Sequence, residues 1–133
     1  MVKIEHIGIA VKDIAAANEL FARLLATPCY KTEQVETEGV ITSFFKVGEN
    51  KIELVEALTP ESPIAKFIAK KGEGIHHIAF AVTDIHAEMQ RLQAEGFKLL
   101  SSEPKIGADN KLVCFIHPKD TNSVLIELCQ DIN

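Results

Sequence analysis

The chain contains one short segment twice, and this repeat constrains the fold more than any other feature of the sequence. Counting from His6 and from His77, six positions are identical at a constant offset of 71 residues. The tripeptide Ile-Glu-Leu also occurs twice, at 52–54 and at 126–128. Each half therefore supplies one histidine and one glutamate. A chain of 133 residues is long enough for one compact domain, and the repeat predicts that this domain is built from two related halves.

Each half carries the pattern of the element order βαβββ. An apolar, β-branched segment followed by an aspartate at the helix N-cap, Asp13 or Asp84, predicts a strand and then a helix. Three extended segments follow in each half. The predicted elements of the first half are 3–11, 14–25, 29–36, 40–47 and 51–57. Those of the second half are 75–82, 85–95, 97–102, 112–117 and 123–129.

These elements predict an α+β fold in which two tandem βαβββ modules form a cupped mixed sheet around a metal site. The first module is expected at 1–57 and the second at 75–133, within one compact domain overall. Residues 58–74 are expected to connect the modules through a turn and a short helix at about 64–70. The repeat offset grows from 71 at the histidines to 74 at the glutamates, and the extra residues fit the loop at 118–123.

Strand parity predicts that the repeated polar residues face the same way. His6 and His77 each share a strand face with two small residues, whereas the bulky apolar residues of the same strands point to the other face. Glu53 and Glu127 are each flanked by two apolar residues, so their carboxylates also point away from the core. Burying two carboxylates without a cation costs several kcal/mol apiece. The four side chains therefore predict a divalent metal site with open positions.

Composition excludes several other functions. A formal net charge of −5 without a dense Lys/Arg stretch argues against a nucleic-acid partner. No apolar run approaches the roughly 20 residues of a membrane span, and the strand pattern begins at the N-terminus, so we expect a cytoplasmic protein without a membrane partner. The three cysteines are odd in number and match no disulfide framework or metal motif, which favours a role as small apolar residues.

The paired unit with its His, Glu, His, Glu order resembles the vicinal oxygen chelate superfamily, which includes glyoxalase I, extradiol dioxygenases and fosfomycin-resistance proteins. Within it, four segments look most like bacterial methylmalonyl-CoA epimerases: 51–56, 62–67, 72–80 and 117–121. The resemblance implies a divalent ion, Co, Mn, Ni or Zn, and a homodimer. The implied metal ligands are His6, Glu53, His77 and Glu127.

The same resemblance implies an epimerase that interconverts (2R)- and (2S)-methylmalonyl-CoA by α-proton abstraction through a metal-stabilised enolate. Two bases are needed, one for each face of the substrate, and the candidates are Glu127 with either Glu36 or Glu38. The candidate contacts of the CoA thioester are Lys66, Lys70, Lys71 and Lys111. The chain departs from the family where many epimerases carry Gly-Gly, since it has Asn122 and Ser123 there, and in the segment 36–40 before Gly-Val.

Two other functions stay open at this point. Glyoxalase I (lactoylglutathione lyase) uses the same metal geometry to move a proton through an enediolate. A non-catalytic member that binds a small molecule is a second alternative, although such a protein need not keep its metal ligands. An extradiol dioxygenase is disfavoured, because it usually has a longer chain and a site of two histidines and one carboxylate.

Overall fold

The computed structural model describes residues 1–132, and these form eight strands and three helices in an α+β arrangement. The two predicted βαβββ modules are therefore confirmed. The strands are β1 Lys3–Ala10, β2 Lys31–Val35, β3 Val40–Val47, β4 Asn50–Ala57, β5 Gly74–Ala81, β6 Lys105–Gly107, β7 Lys111–Ile116 and β8 Ile126–Asp131. The helices are α1 Ile14–Leu25, α2 Pro63–Lys71 and α3 Ile85–Ala94. Within this described part, no helix combines the length and the apolar character that crossing a membrane requires.

The chain divides into two compact units. The first unit is His6–His76, and the second combines Met1–Glu5 with the residues from His77 onward. The first residues of the chain belong to the second unit because the Val2 N–H donates to the carbonyl of Ala81 at 2.8 Å. The boundaries of the units thus fall immediately before the two repeated histidines. The modules defined by the sequence repeat remain the prediction for domain organisation.

In the first unit the strand order is β2-β3-β4-β1. β1 and β4 are parallel, and the other two pairs are antiparallel. Helix α1 packs on one face of this sheet against a core whose buried members are Val11, Phe45 and Leu54. The residues that alternate with these, including His6, lie on the opposite face, because successive side chains of a strand point to opposite sides.

The second unit repeats this topology with the order β5-β8-β7-β6. β5 and β8 are parallel, and β7 pairs antiparallel with both β8 and β6. Helix α3 contributes Ile85, Met89 and Leu92 to a buried core with Cys114 and Leu128. The internal repeat of the sequence is therefore also a repeat of strand order and of helix position within each unit.

Both repeated helices begin in the same way. The side chains of Asp13 and Asp84 each accept a hydrogen bond from the third helical N–H, which confirms the predicted N-caps. In addition, Glu56 accepts from the first N–H of α1, and Gln130 accepts from the first N–H of α3, both at 2.7 Å. These two residues occupy equivalent positions of β4 and β8. Each sheet thus fixes the start of its helix by satisfying a backbone donor that the helix itself leaves free.

The prediction of a regular strand at 97–102 was wrong. Leu99 makes only an isolated bridge with Ile116, and the fourth strand of this unit lies later, at β6. The reason is a turn before Pro104, in which the Ser101 hydroxyl donates to the carbonyl of Glu103 at 2.8 Å. The remaining predicted elements agree with the observed ones to within three residues at each end.

Candidate functional site

The first unit brings one histidine and one glutamate together in its interior. β1 and β4 run side by side, with Gly8 opposite Glu53, so that His6 and Glu53 share the face turned away from α1. The Nε2 atom of His6 lies 3.2 Å from Oε1 of Glu53. Both residues are only 5% exposed. We call the sheet face that carries them the histidine face.

The second unit contains the same pair on its own histidine face. Ala79 of β5 lies opposite Glu127 of β8, and His77 precedes Ala79 by one alternation of the strand. The Nε2 atom of His77 lies 3.3 Å from Oε1 of Glu127. His77 is 5% exposed and Glu127 is 6% exposed. The parity argument made from the sequence thus holds within each unit.

The chemistry of these donors fits a divalent metal ion. An imidazole nitrogen and a carboxylate oxygen are the donor atoms that first-row divalent cations accept. A carboxylate that is buried and ionised also needs a positive partner, because its desolvation costs several kcal/mol. In both units the buried carboxylate faces an imidazole that is neutral unless protonated. A divalent cation would supply the missing positive charge.

An aromatic ring stands beside each glutamate. Phe44 of β3 lies opposite Glu53, and Phe115 of β7 lies opposite Glu127, at repeat-equivalent positions. The ring of His77 meets that of Phe115 edge to face, with centroids 6.1 Å apart. These rings shield the carboxylates from water. Electrostatic interactions at the pairs are therefore stronger than they would be on an open surface.

Two further residues accompany the pair in the second unit. Burial raises the pKa of the Cys129 thiol, and the nearby carboxylates of Glu127 and Glu5 raise it further. Cys129 therefore remains a neutral thiol that donates to the carbonyl of Phe80, and it does not act as an anionic ligand. Glu5 is itself only 5% exposed. Our sequence analysis missed it, although an acidic residue directly before His6 in a predicted strand was a visible signal.

Glu36 and Glu38 lie in a 3-10 turn, Glu36–Glu38, between β2 and β3. Glu36 is exposed and Glu38 is half-buried. Gly39 ends the turn with a positive φ of 66°, and a Cβ at this position would lie 3.3 Å from the Cβ of Ser62. The Gly39 carbonyl also accepts from the N–H of Leu58 at 2.8 Å. The turn is therefore held in one conformation at the end of two strands.

The lysines predicted to contact CoA do not form one cluster. Lys66, Lys70 and Lys71 lie on α2, where the last two complement the helix C-terminus. The Lys71 ammonium lies 5.9 Å from the ring centroid of Phe67. Lys111 begins β7 in the second unit, is 7% exposed and is paired with Asp131.

Two histidine and loop positions singled out by the sequence are also accounted for. His76 meets the ring of Phe67 of α2 edge to face at 4.9 Å, so it lies on the helix side, as its strand parity predicted. Asn122 and Ser123 adopt positive φ values of 54° and 69°. Glycine adopts this region without strain, whereas other residues pay about 1 kcal/mol or more. The departure from Gly-Gly therefore falls at two positions where glycine would be the less strained residue, and β8 starts only after them.

Comparison with known proteins gives one family. Residues 5–115 match the model of the glyoxalase/bleomycin resistance protein/dioxygenase superfamily. The ethylmalonyl-CoA/methylmalonyl-CoA epimerase of Cereibacter sphaeroides is 42% identical over 96% of this chain and 97% of its own length. The mitochondrial methylmalonyl-CoA epimerase of Homo sapiens is 38% identical over 96% of this chain and 73% of its own length.

Solved structures give the same result. The Streptomyces coelicolor methylmalonyl-CoA epimerase in complex with 2-nitronate-propionyl-CoA is 33% identical, covers 100% of this chain and 99% of its own chain, and has a TM-score of 0.96. In that structure a glutamine is replaced by alanine, and in a second complex of the enzyme a glutamate is replaced by glutamine. The substituted glutamate precedes the substituted glutamine by 17 residues.

Proposed function

The chain belongs to the glyoxalase/bleomycin resistance protein/dioxygenase superfamily, and we propose that it is a metal-dependent methylmalonyl-CoA epimerase. The observation that carries the proposal is a buried histidine–glutamate pair in each unit of a chain that matches epimerases along nearly its whole length. The reaction interconverts the (2R) and (2S) forms of the substrate. The α+β fold with two βαβββ modules is shared with the solved epimerase structures.

We further propose that both pairs serve one metal ion, with His6, Glu53, His77 and Glu127 as its ligands. The support is the internal symmetry: the two pairs are equivalent in sequence, in strand position and in the distance between nitrogen and oxygen, 3.2 and 3.3 Å. Two carboxylates and two neutral imidazoles balance the charge of a divalent cation. Co, Mn, Ni and Zn all accept these donors. When bound, such a cation would act as a Lewis acid toward the oxygens of the substrate enolate.

We propose Glu36 and Glu127 as the two bases. Glu36 precedes Glu53 by 17 residues, the separation between the substituted glutamate and glutamine of the Streptomyces coelicolor enzyme, whereas Glu38 precedes it by 15. This spacing favours Glu36 over Glu38, which stays the alternative. The Glu36 carboxylate is exposed, and the rigid turn that carries it supplies a fixed position for proton transfer.

In the proposed mechanism, one carboxylate removes the C2 proton of methylmalonyl-CoA and becomes a carboxylic acid. The electron pair left on C2 delocalises into the thioester as an enolate. The second residue, present as a carboxylic acid, returns a proton to the opposite face of C2, and the configuration is inverted. Each turnover exchanges the protonation states of Glu36 and Glu127, so atoms and charges balance in both directions.

A CoA thioester is the proposed substrate class, in keeping with the names of the epimerase relatives. The candidate lysine contacts, the homodimer and the cytoplasmic location remain predictions from the sequence. Glyoxalase I is the second candidate function, because members of the superfamily can share the same metal donors. The Cereibacter sphaeroides and Homo sapiens epimerases favour the first candidate.

A direct assay separates the candidates. Metal-loaded protein is incubated with (2S)-methylmalonyl-CoA, and separately with methylglyoxal and glutathione. We expect turnover only with the CoA thioester, because the proposed reaction needs a C2 proton between a thioester and a carboxylate. Turnover only with the glutathione adduct would make the protein a glyoxalase I, and turnover with neither substrate would favour a binding protein.

A further inference from the structure

The first unit carries a group of basic and aromatic side chains on the same sheet face as His6 and Glu53. We call it the lysine patch and define it by Tyr30, Lys31, Lys46 and Lys51. Lys31 of β2 lies opposite Phe44 of β3, which in turn lies opposite Glu53 of β4. Lys46 and Lys51 lie directly opposite each other one alternation further along β3 and β4. The patch therefore borders the candidate metal ligands of this unit.

Two of the ammonium groups are held by aromatic rings. The Lys31 Nζ atom lies 5.9 Å from the ring centroid of Phe44, and the Lys46 Nζ atom lies 5.7 Å from that of Tyr30. The two rings are themselves 6.3 Å apart. Cation–π contacts of this kind position an ammonium without neutralising it. Tyr30 is 43% exposed, so its ring remains accessible to a planar ligand.

The pairing of Lys46 with Lys51 is unfavourable in itself. Like charges directly opposite each other destabilise an antiparallel pair of strands. A bound polyanion would relieve this repulsion. The nearest carboxylate in the patch is that of Glu33, whose Oε1 lies 3.5 Å from the Lys31 Nζ atom and offsets part of its charge.

We propose that the lysine patch binds the nucleotide part of the acyl-CoA substrate. The ammonium groups of Lys31, Lys46 and Lys51 would pair with its phosphates, and the Tyr30 ring would stack on the adenine. This inference rests on the proposed function, since it names the part of the same substrate that lies away from the reacting carbon. It also assigns CoA binding to a site that the sequence analysis did not include.

The test measures the binding of free coenzyme A and of pantetheine by calorimetry. The double variant Lys31→Gln, Lys46→Gln should bind coenzyme A about tenfold more weakly or worse, because two charge-assisted contacts are lost. The matched control, Arg23→Gln with Arg91→Gln, removes the same charge from exposed residues of α1 and α3 and should leave the affinity within about twofold. Binding of pantetheine, which lacks the nucleotide, should not change in either protein.

Two single variants sharpen the test. Glu33→Gln should strengthen coenzyme A binding about twofold to fivefold, because it removes the carboxylate beside Lys31. Tyr30→Ala should weaken binding about fivefold or more, and Tyr30→Phe, which keeps the ring, should not. Equal affinities in the lysine variant and the arginine control would overturn the proposal, as would an equal loss of pantetheine binding.

Turnover separates a failure of the patch from a failure of the proposed function. If the unmodified protein epimerises both methylmalonyl-CoA and methylmalonyl-pantetheine, the lysine variant should lose activity only with the first. Unchanged activity with both substrates would refute the patch and leave the epimerase intact. If the unmodified protein acts on neither substrate, the proposed function fails, and the calorimetric comparison still decides whether the patch binds coenzyme A.

Discussion

Replacing His77 by alanine should abolish tight metal binding as completely as replacing His6. The reason is that both histidine–glutamate pairs are proposed to hold one ion, so either change removes one of four ligands from the same site. We expect one metal ion per unmodified chain and an affinity loss of about a thousandfold or more in each variant, since a missing ligand costs several kcal/mol. Elemental analysis after dialysis and metal titration by calorimetry measure both quantities.

The matched control for this experiment is Glu53→Gln, which keeps an oxygen donor next to His6 but removes its charge. It should retain one metal ion with weaker affinity, because a neutral amide oxygen is a poorer ligand for a divalent cation than a carboxylate. A stoichiometry of two ions per chain, with His6→Ala and His77→Ala each removing only one, would mean that the units bind metal independently.

Replacing Glu36 by glutamine should lower epimerase turnover about a thousandfold or more, while metal content stays unchanged. Glutamine has nearly the same shape as glutamate but cannot accept the C2 proton, so only the chemical step is affected. The effect should appear in kcat rather than in KM, because binding of the thioester does not depend on this carboxylate. Turnover is followed by coupling (2R)-methylmalonyl-CoA formation to a stereospecific mutase.

Glu38→Gln is the built-in comparison, since it makes the same chemical change two residues away in the same turn. We expect it to retain activity to within about fivefold. The opposite result, with Glu38→Gln inactive and Glu36→Gln active, would exchange the two roles. If both variants kept full activity, this turn would have no part in proton transfer.

The repeat predicted much of the structure because it combines with the strict alternation of strands. The parity of His6 and Glu53 follows from their own neighbours, and the observed distance between Nε2 and Oε1 agrees with it. The same argument placed His77 and Glu127. Helix starts were equally predictable, because an aspartate before an apolar helix has few other roles than N-capping.

What the sequence did not predict depends on side-chain contacts between strands. The lysine patch was missed because Lys31 and Lys46 belong to different strands, and only the register of β2 with β3 brings them beside Tyr30 and Phe44. The strand at 97–102 was predicted from apolar content, but the Ser101 turn before Pro104 prevented a regular ladder. Local turn chemistry thus prevailed over hydrophobic pattern.

The most direct test of the account is the fate of the C2 proton in heavy water. Metal-loaded protein is mixed with (2S)-methylmalonyl-CoA in D2O, and NMR follows the configuration and the deuterium content of C2. We predict that inversion occurs together with incorporation of deuterium, because carboxylic acids exchange their protons with solvent between turnovers. A metal-loaded protein that leaves both the configuration and the C2 proton unchanged would contradict the proposal that this chain is an epimerase.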